Sequence, residues 1–211
     1  MRINKHINKF NWCEIKDILP DITEIKSLDL SYMGLIEFPE MSHITIKDNF
    51  SCSNNKITSF KGCPLVNGIF WCNINKITSF KNCQIGNGSF YCFNNQITSF
   101  KDCPHINGYF DCSYNQLASF KWCPIVKGDF NCTNNQIISF KDCPEVGGYL
   151  YTDFNIFDDI HKYSKENNVT LLEAQVDLYN KRDIELLEHI DKFPDLIAYI
   201  RIKELNKLLC A

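Results

Sequence analysis

A 20-residue unit repeats through the middle of this 211-residue chain without a single insertion or deletion. Phenylalanine, cysteine and asparagine return at fixed places in the unit, first at Phe50, Cys52 and Asn55. The later members are Phe70, Phe90, Phe110, Phe130, Cys72, Cys92, Cys112, Cys132, Asn75, Asn95, Asn115, Asn135 and Asn155. A fixed period of this length predicts a solenoid, in which each turn packs on its neighbours and none folds alone.

Alternating side chains predict a short strand at the start of each unit. Phe50 and Cys52 then point inward, and Ser51 and Ser53 point outward. Stacked units give a parallel sheet with about 4.8 Å between strands. Asn55 and its equivalents are expected to end the strand and to bond backbone groups of two turns, because a buried amide needs partners.

Proline and glycine mark the rest of the unit. Pro64, Pro104, Pro124 and Pro144 predict an extended return side without helix. The glycines before each strand, such as Gly68 and Gly88, are expected to supply freedom in φ. One unit departs from the pattern with Gln84-Ile85-Gly86, where we expect looser packing.

Ten of the twelve cysteines occupy repeat positions, and the second set starts at Cys63. No C-x-x-C pair is present, and the spacing does not suit a zinc site. We predict reduced core thiols, since cysteine buries readily. Disulfides or a metal site remain less favoured alternatives. No cofactor and no metal site are predicted.

The motif F-x-C-x-x-N-x-I resembles the L-x-L-x-x-N-x-L core of leucine-rich repeats, and Leu28-Asp29-Leu30 is closer still to that core. In that upstream unit Met33 stands where the asparagine is expected. The resemblance is to the shortest, 20-residue class. The longer wording C-S-N-N-x-I-T-S-F-K-G-C-P is also similar to repeat proteins of large DNA viruses and phages. The likeness covers roughly residues 25–157 and implies recognition of a partner rather than catalysis.

These observations predict an α/β-type solenoid with one curved parallel sheet, an extended return side and a C-terminal helical cap. The expected parts are an N-terminal cap at 1–24, a solenoid of six to seven turns at 25–157 and helices at 158–211. Thr170 to Glu173 forms a capping box that predicts a helix start. Asp183 and Pro194 are expected at the starts of two further helices.

No secretory signal is evident in residues 1–20, and no apolar run is long enough for a membrane span. We therefore expect an intracellular protein, cytoplasmic or nuclear, and a monomer. The net charge of −3 gives no general attraction to nucleic acid. No phosphate-binding loop, metalloprotease motif or nucleophile elbow occurs, so an enzyme is not expected.

Aromatic residues collect at variable positions on the expected outward face of the sheet. Tryptophan and tyrosine are frequent anchors of protein interfaces, although bulky residues also suit a sheet surface. We predict a non-enzymatic protein-binding module, with its partner unidentified. The predicted partner-binding residues are Ile69, Trp71, Tyr91, Phe93, Tyr109, Tyr114, Tyr149 and Tyr151.

Lysine recurs every 20 residues on the return path and predicts a basic row about 20 Å long. Such a row could follow a phosphate backbone, which makes a nucleic-acid-associated or structural protein the alternative function. A solvated edge is the simpler explanation. The row consists of Lys61, Lys81, Lys101, Lys121 and Lys141.

Overall fold

Each repeat forms one turn of a β-solenoid of about six turns. The structure, a computed structural model, describes residues 21–137, 142–152, 155–180, 195–198, 200 and 201. Residues 1–20 of the expected N-terminal cap, together with Phe140, Lys141, Asp183 and Pro194 and the helix starts expected at the last two, lie outside these residues. The predicted solenoid stack is confirmed.

The main sheet contains seven parallel two-residue strands, and each strand pairs with the strand of the adjacent turn. The strands lie side by side in the same sequence as they occur in the chain, so each turn pairs only with its neighbours. The strands are β2 Leu28–Asp29, β4 Phe50–Ser51, β6 Phe70–Trp71, β7 Phe90–Tyr91, β8 Phe110–Asp111, β9 Phe130–Asn131 and β10 Leu150–Tyr151.

A second parallel sheet lies on the return side, where the sequence predicted only extended chain. It contains β1 Glu24–Ile25, β3 Thr45–Ile46 and β5 Leu65–Val66. Single bridges continue this pairing from Ile106 to Val126 and from Val126 to Val146. No helix occurs on the described return side. The strands of both sheets are short because each turn changes direction after a few residues.

Two stacks of phenylalanine form the core. Phe70 and Phe90 have ring centroids 5.3 Å apart, and Phe80 and Phe100 have centroids 6.3 Å apart. The nine described members of the two stacks are at most 1% exposed. Burial of each ring contributes about 1.5–3 kcal/mol, and offset or edge contacts between rings add to it. The predicted phenylalanine core is confirmed.

The asparagine ladder joins successive turns as predicted. The Nδ2 of Asn95 donates to the carbonyls of Cys72 at 3.1 Å and Cys92 at 3.0 Å, and its Oδ1 accepts from the backbone N–H of Ile77 at 3.0 Å. Asn55, Asn75, Asn115 and Asn135 make the same set of bonds. Asn155, the next residue of this period in the sequence, begins a helix.

The glycines before each strand have a different role from the one expected. Their φ values lie outside the left-handed region. Among the described glycines, Gly34 and Gly62 are the two that adopt a left-handed φ. A Cβ on Gly88 would lie 1.5 Å from the carbonyl oxygen of Gly68. Glycine is therefore needed here for close contact between the backbones of successive turns, and the prediction of φ freedom is wrong.

Two helices follow the last strand. Helix α1 spans Asn155–Asn167 and packs against β10 and against α2, which spans Leu171–Asn180. Thr170 and Glu173 make the predicted capping box, with the N–H of Thr170 donating to Oε2 of Glu173 at 2.8 Å and that of Glu173 to Oγ1 of Thr170 at 3.2 Å. Residues 195–198, 200 and 201 are also helical. Ile160, Ala174 and Leu196 join the solenoid core, so helices cover the end of the stack.

Candidate functional site

The outer face is the surface formed by the outward-pointing residues of the seven-stranded sheet. Parallel pairing brings these residues into one row: Asp29, Ser51, Trp71, Tyr91, Asp111, Asn131 and Tyr151. Each is half-buried except Asp29 and Tyr151, which are exposed. Along every strand the row alternates with a buried phenylalanine or, in β2 and β10, a buried leucine, which anchors the strand to the core.

Three predicted residues meet in an aromatic ladder on the outer face. The rings of Trp71 and Tyr91 stack with centroids 5.9 Å apart and planes 19° apart. The rings of Tyr91 and Tyr109 lie 5.3 Å apart and are inclined by 35°. The aromatic ladder, Trp71, Tyr91 and Tyr109, therefore presents a continuous π surface across three turns.

Tyr109 is the electrostatically distinctive member of the ladder. Burial, then the negative charge of Asp111, raises the pKa of Tyr109 to about 12, against a smaller opposing effect of a hydrogen bond with Asn131. The phenol therefore stays neutral at physiological pH and can serve as a hydrogen-bond donor. The ladder and Asp111 together offer a partner apolar area, two hydroxyls, an indole N–H and one carboxylate.

The other predicted partner-binding residues are a second aromatic pair and three single residues. Tyr149 and Tyr151 form the pair, with centroids 6.4 Å apart and exposed fractions of 61% and 41%. Ile69 and Phe93 are half-buried. Tyr114 lies beyond the end of strand β8, at the sheet edge, and is exposed.

The residue before each ladder asparagine, and before Met33 at the equivalent place in the upstream unit, adopts a left-handed conformation. We call this set the left-handed row: Tyr32, Asn54, Ile74, Asn94, Tyr114 and Asn134, with φ between 52° and 60°. The first five donate their backbone N–H to the next turn at 3.0–3.1 Å, so they stack directly. Asparagine accepts this conformation readily, whereas a β-branched or bulky residue adopts it at a cost of about 1–2 kcal/mol.

Tyr32, Ile74 and Tyr114 therefore carry backbone strain without the benefit of full burial. Their exposed fractions are 79%, 40% and 59%. They occupy every second turn, and asparagine occupies the turns between them. Strained and exposed apolar residues of this kind are typical of functional surfaces.

A similar alternation at the opposite sheet edge has a structural explanation. There Asn49, Ser89 and Asp129 alternate with Ile69, Tyr109 and Tyr149. Each polar side chain accepts the backbone N–H of the larger residue in the next turn, at 2.8–3.2 Å. The left-handed row has no such requirement, because its N–H groups bond identically whatever the side chain.

The basic row is exposed at Lys61, Lys81, Lys101 and Lys121; Lys141 lies outside the described residues. A second left-handed position follows each lysine, and Gly62, Asn82, Asp102 and Asp142 suit it. Trp122 occupies the same position with φ 64°, is 57% exposed, and lies 4.3 Å below the ammonium of Lys121. Trp122 was not among the residues predicted from the sequence.

The repeat cysteines are free thiols that pack in or against the core. Cys83, Cys103, Cys123 and Cys143 are half-buried as whole residues, and the others are buried. Burial raises the pKa of Cys92 and of Cys103 well above the ordinary thiol value. Among the described residues, no three metal-binding side chains converge. A high pKa makes these thiols poor nucleophiles.

One cleft of about 520 Å³ lies between the last return segment and the loop that joins α1 to α2. Three of its polar side chains, those of Ser164, Lys165 and Thr170, already have structural partners. Lys165 donates to the carbonyls of Gly147 and Gly148, and Thr170 belongs to the capping box. The arrangement holds the cap against the last turn.

Sequence reasoning missed Tyr32, Ile74 and Trp122. A signal was available in the sequence. At most of the equivalent positions of the other units the residue is asparagine, aspartate or glycine, and a large apolar residue replaces it at Tyr32, Ile74 and Trp122. Within the part of the chain that the structure describes, no helix has the length and apolar character needed to cross a bilayer. No family model, curated protein or solved structure matches this chain.

Proposed function

We propose that this protein is a non-enzymatic protein-binding module that holds its partner against the outer face. The observation that carries the proposal is the aromatic ladder, in which three large rings form one preorganised surface. Rigid aromatic side chains lose little entropy on binding and are the commonest interface anchors. The resemblance to leucine-rich repeats, and to repeat proteins of viruses and phages, is compatible with this role, as is an intracellular location.

Affinity capture followed by a direct binding measurement tests the proposal. The partner is captured with the wild-type protein, purified, and titrated against the double variant Trp71→Ala/Tyr91→Ala. We expect affinity to fall at least about 30-fold, because each lost anchor commonly costs about 1–2 kcal/mol. Gln96→Ala/Gln116→Ala, on exposed neighbouring positions, is the matched control. Undiminished affinity in the aromatic variant would exclude the outer face as the site.

The alternative is nucleic-acid association through the basic row. Four exposed lysines in register and the exposed Trp122 beneath Lys121 favour it, since single-stranded nucleic acids bind grooves that combine cations with aromatic stacking. Binding to a fluorescent oligonucleotide should then weaken steeply with salt. Lys81→Ala/Lys101→Ala should reduce the number of counterions released on binding, given by the slope of log K against log salt concentration, by about two. Salt-independent binding, or no binding at low salt, rejects this alternative.

A further inference from the structure

The left-handed row has a two-turn period that nothing in the solenoid requires. Tyr32, Ile74 and Tyr114 project at the carboxyl end of the strands, separated by Asn54 and Asn94. Two strand spacings place successive apolar residues about 9.6 Å apart. The short asparagines leave a notch between each pair of large residues. The edge is thus a line of apolar projections and polar notches.

This spacing selects among regular peptide conformations. A polyproline II helix rises about 3.1 Å per residue with three residues per turn, so the same face recurs every ~9.3 Å. An extended strand repeats a face about every 6.6–6.8 Å. An α-helix returns to the same face after seven residues, about 10.5 Å, and presents intervening residues as well. Polyproline II fits the row with the smallest error over two periods.

The chemistry of the notches fits the same ligand. Polyproline II has no internal hydrogen bonds, so its carbonyls are open acceptors. The amides of Asn54 and Asn94, which are half-buried and exposed respectively, carry donors that suit such carbonyls. Tyrosine surfaces are a recurrent means of binding proline rings. Projections and notches together therefore provide apolar and polar contacts at one common period.

Charge gives the ligand a direction. Lys56 and Lys76 follow the left-handed row by two residues and are exposed, and neither forms an ion pair within the described residues. The equivalent positions in the next three turns are Gln96, Gln116 and Gln136. Positive charge is therefore confined to the Tyr32–Ile74 half of the row. A partner with acidic residues at one end complements it.

We infer that the left-handed row, from Tyr32 to Tyr114, binds a proline-rich segment in the polyproline II conformation with acidic residues beside Lys56 and Lys76. The inference rests on the proposed protein-binding function and adds a partner class and a second contact surface at the sheet edge. It uses Tyr114, which the outer face does not include.

The test uses a fluorescent synthetic peptide with two aspartates followed by proline at every third position. The comparison peptide has the same composition with irregularly placed prolines. The full-length protein should bind the regular peptide at least about tenfold more tightly, because only that peptide matches both notches. Equal affinity for the two peptides overturns the inference. An acidic helical peptide or an oligonucleotide that binds more tightly, with the same dependence on Ile74, also overturns it.

Two variants separate binding from folding. Ile74→Asn/Tyr114→Asn should weaken peptide binding at least about tenfold, and should raise the urea midpoint because asparagine accepts the left-handed backbone. The matched control is Trp122→Asn, which relieves the same kind of strain at the other left-handed position and should leave peptide affinity unchanged. If Trp122→Asn weakens peptide binding as much as the double variant does, the inference is contradicted.

A deletion tests the spacing itself. Removal of residues 90–109 joins two turns in register and brings Ile74 and Tyr114 onto adjacent turns, about 4.8 Å apart. Peptide binding should be lost although both side chains remain and circular dichroism shows a folded protein. If Asn94→Tyr also abolishes binding by filling a notch, the projection-and-notch geometry is supported. Retained binding in either variant overturns it.

The outer-face variant distinguishes the inference from the proposed function. Trp71→Ala/Tyr91→Ala should keep its affinity for the peptide while losing the captured partner. If the peptide does not bind, while binding of the captured partner still depends on Trp71 and Tyr91, the inference is overturned and the proposed function stands. Peptide binding that disappears in the outer-face variant contradicts the assignment to the left-handed row.

Discussion

Glycine serves two different purposes in this chain, and single substitutions separate them. Gly88 has no room for a Cβ, which would lie 1.5 Å from a rigid carbonyl oxygen, whereas Gly34 has open space around it but a φ of 70°. We expect Gly88→Ala to lower the free energy of unfolding by about 3 kcal/mol or more. Gly34→Ala should lower it by only about 1 kcal/mol. Urea denaturation measures both, and equal losses would contradict the close-contact role of Gly88.

At the same scale, the sequence predicts which residues are buried better than it predicts backbone angles. Phe50 and Cys52 are buried as their alternation indicated, and Ser53, expected on the outward side, is buried as well through a bond of 2.7 Å to Asn73. The left-handed angle of Ile74 could not be foreseen from isoleucine, which avoids that conformation. It follows from the stacked hydrogen bonds of the neighbouring turns.

The asparagine ladder is the element that fixes the register between turns. Asn95 is buried and satisfies three backbone groups that belong to two turns. Asn95→Ala leaves the N–H of Ile77 without a partner, at about 1–3 kcal/mol, and removes one of the two amide donors that the carbonyls of Cys72 and Cys92 each have, at about 0.5–1.5 kcal/mol each. We therefore expect a loss of about 3 kcal/mol or more in the free energy of unfolding. The neighbouring Gln96→Ala, at an exposed position, should change it by less than about 0.5 kcal/mol.

Thermal and urea denaturation of the two variants provide the measurement. The difference between them isolates the ladder, because both remove an amide of the same chemistry from adjacent positions. Similar small losses in both variants would show that other bonds hold the turns together.

The parallel pairing on the return side shows how the stack accommodates the irregular unit with Gln84-Ile85-Gly86. Val66 pairs with Ile85, although the 20-residue period would pair it with Gly86. The described bridges then resume between Ile106 and Val126. The sequence predicted looser packing at this unit, but not the one-residue shift, because the shift depends on which backbone groups of Val66 find partners: its N–H meets Gln84 and its carbonyl meets Gly86.

At the scale of the whole molecule, the 20-residue period predicted the stack of turns, but it did not predict where the stack ends. Asn155 continues the 20-residue pattern in the sequence but begins α1 in the structure. Burial of Ile160 against the last turn favours the helix over another turn. A pattern read from sequence alone cannot weigh this contact. The three residues of the aromatic ladder were named from the sequence, whereas Tyr32 and Ile74 of the left-handed row were not.

The thiol core makes the stability of the whole molecule sensitive to alkaline pH. Burial raises the pKa of Cys143 to about 12 and that of eight other repeat thiols well above the ordinary value, with smaller contributions from neighbouring groups at most of them. In the unfolded chain the same thiols ionise near pH ~8.5. Above that pH the unfolded chain binds fewer protons than the folded one, so stability falls as the pH rises.

Each thiol that stays protonated in the fold contributes about 1.4 kcal/mol per pH unit to this loss. The nine together contribute on the order of 12 kcal/mol per pH unit, comparable with the whole stability of a typical domain. We therefore expect stability to be unaffected by the thiols below about pH 8 and cooperative unfolding by about pH 10. Circular dichroism against pH, with a reducing agent present, measures the transition.

The number of protons released at unfolding identifies the cause. Replacement of Cys92 and Cys112 by alanine should make the free energy of unfolding less steep against pH by about 2.7 kcal/mol per pH unit, whatever the substitutions do to stability at neutral pH. An unchanged slope would show that other groups drive the transition. A native spectrum at pH 11 would contradict the protonated thiol core, because an ionised unfolded chain would then be strongly favoured over a fold that keeps its thiols neutral.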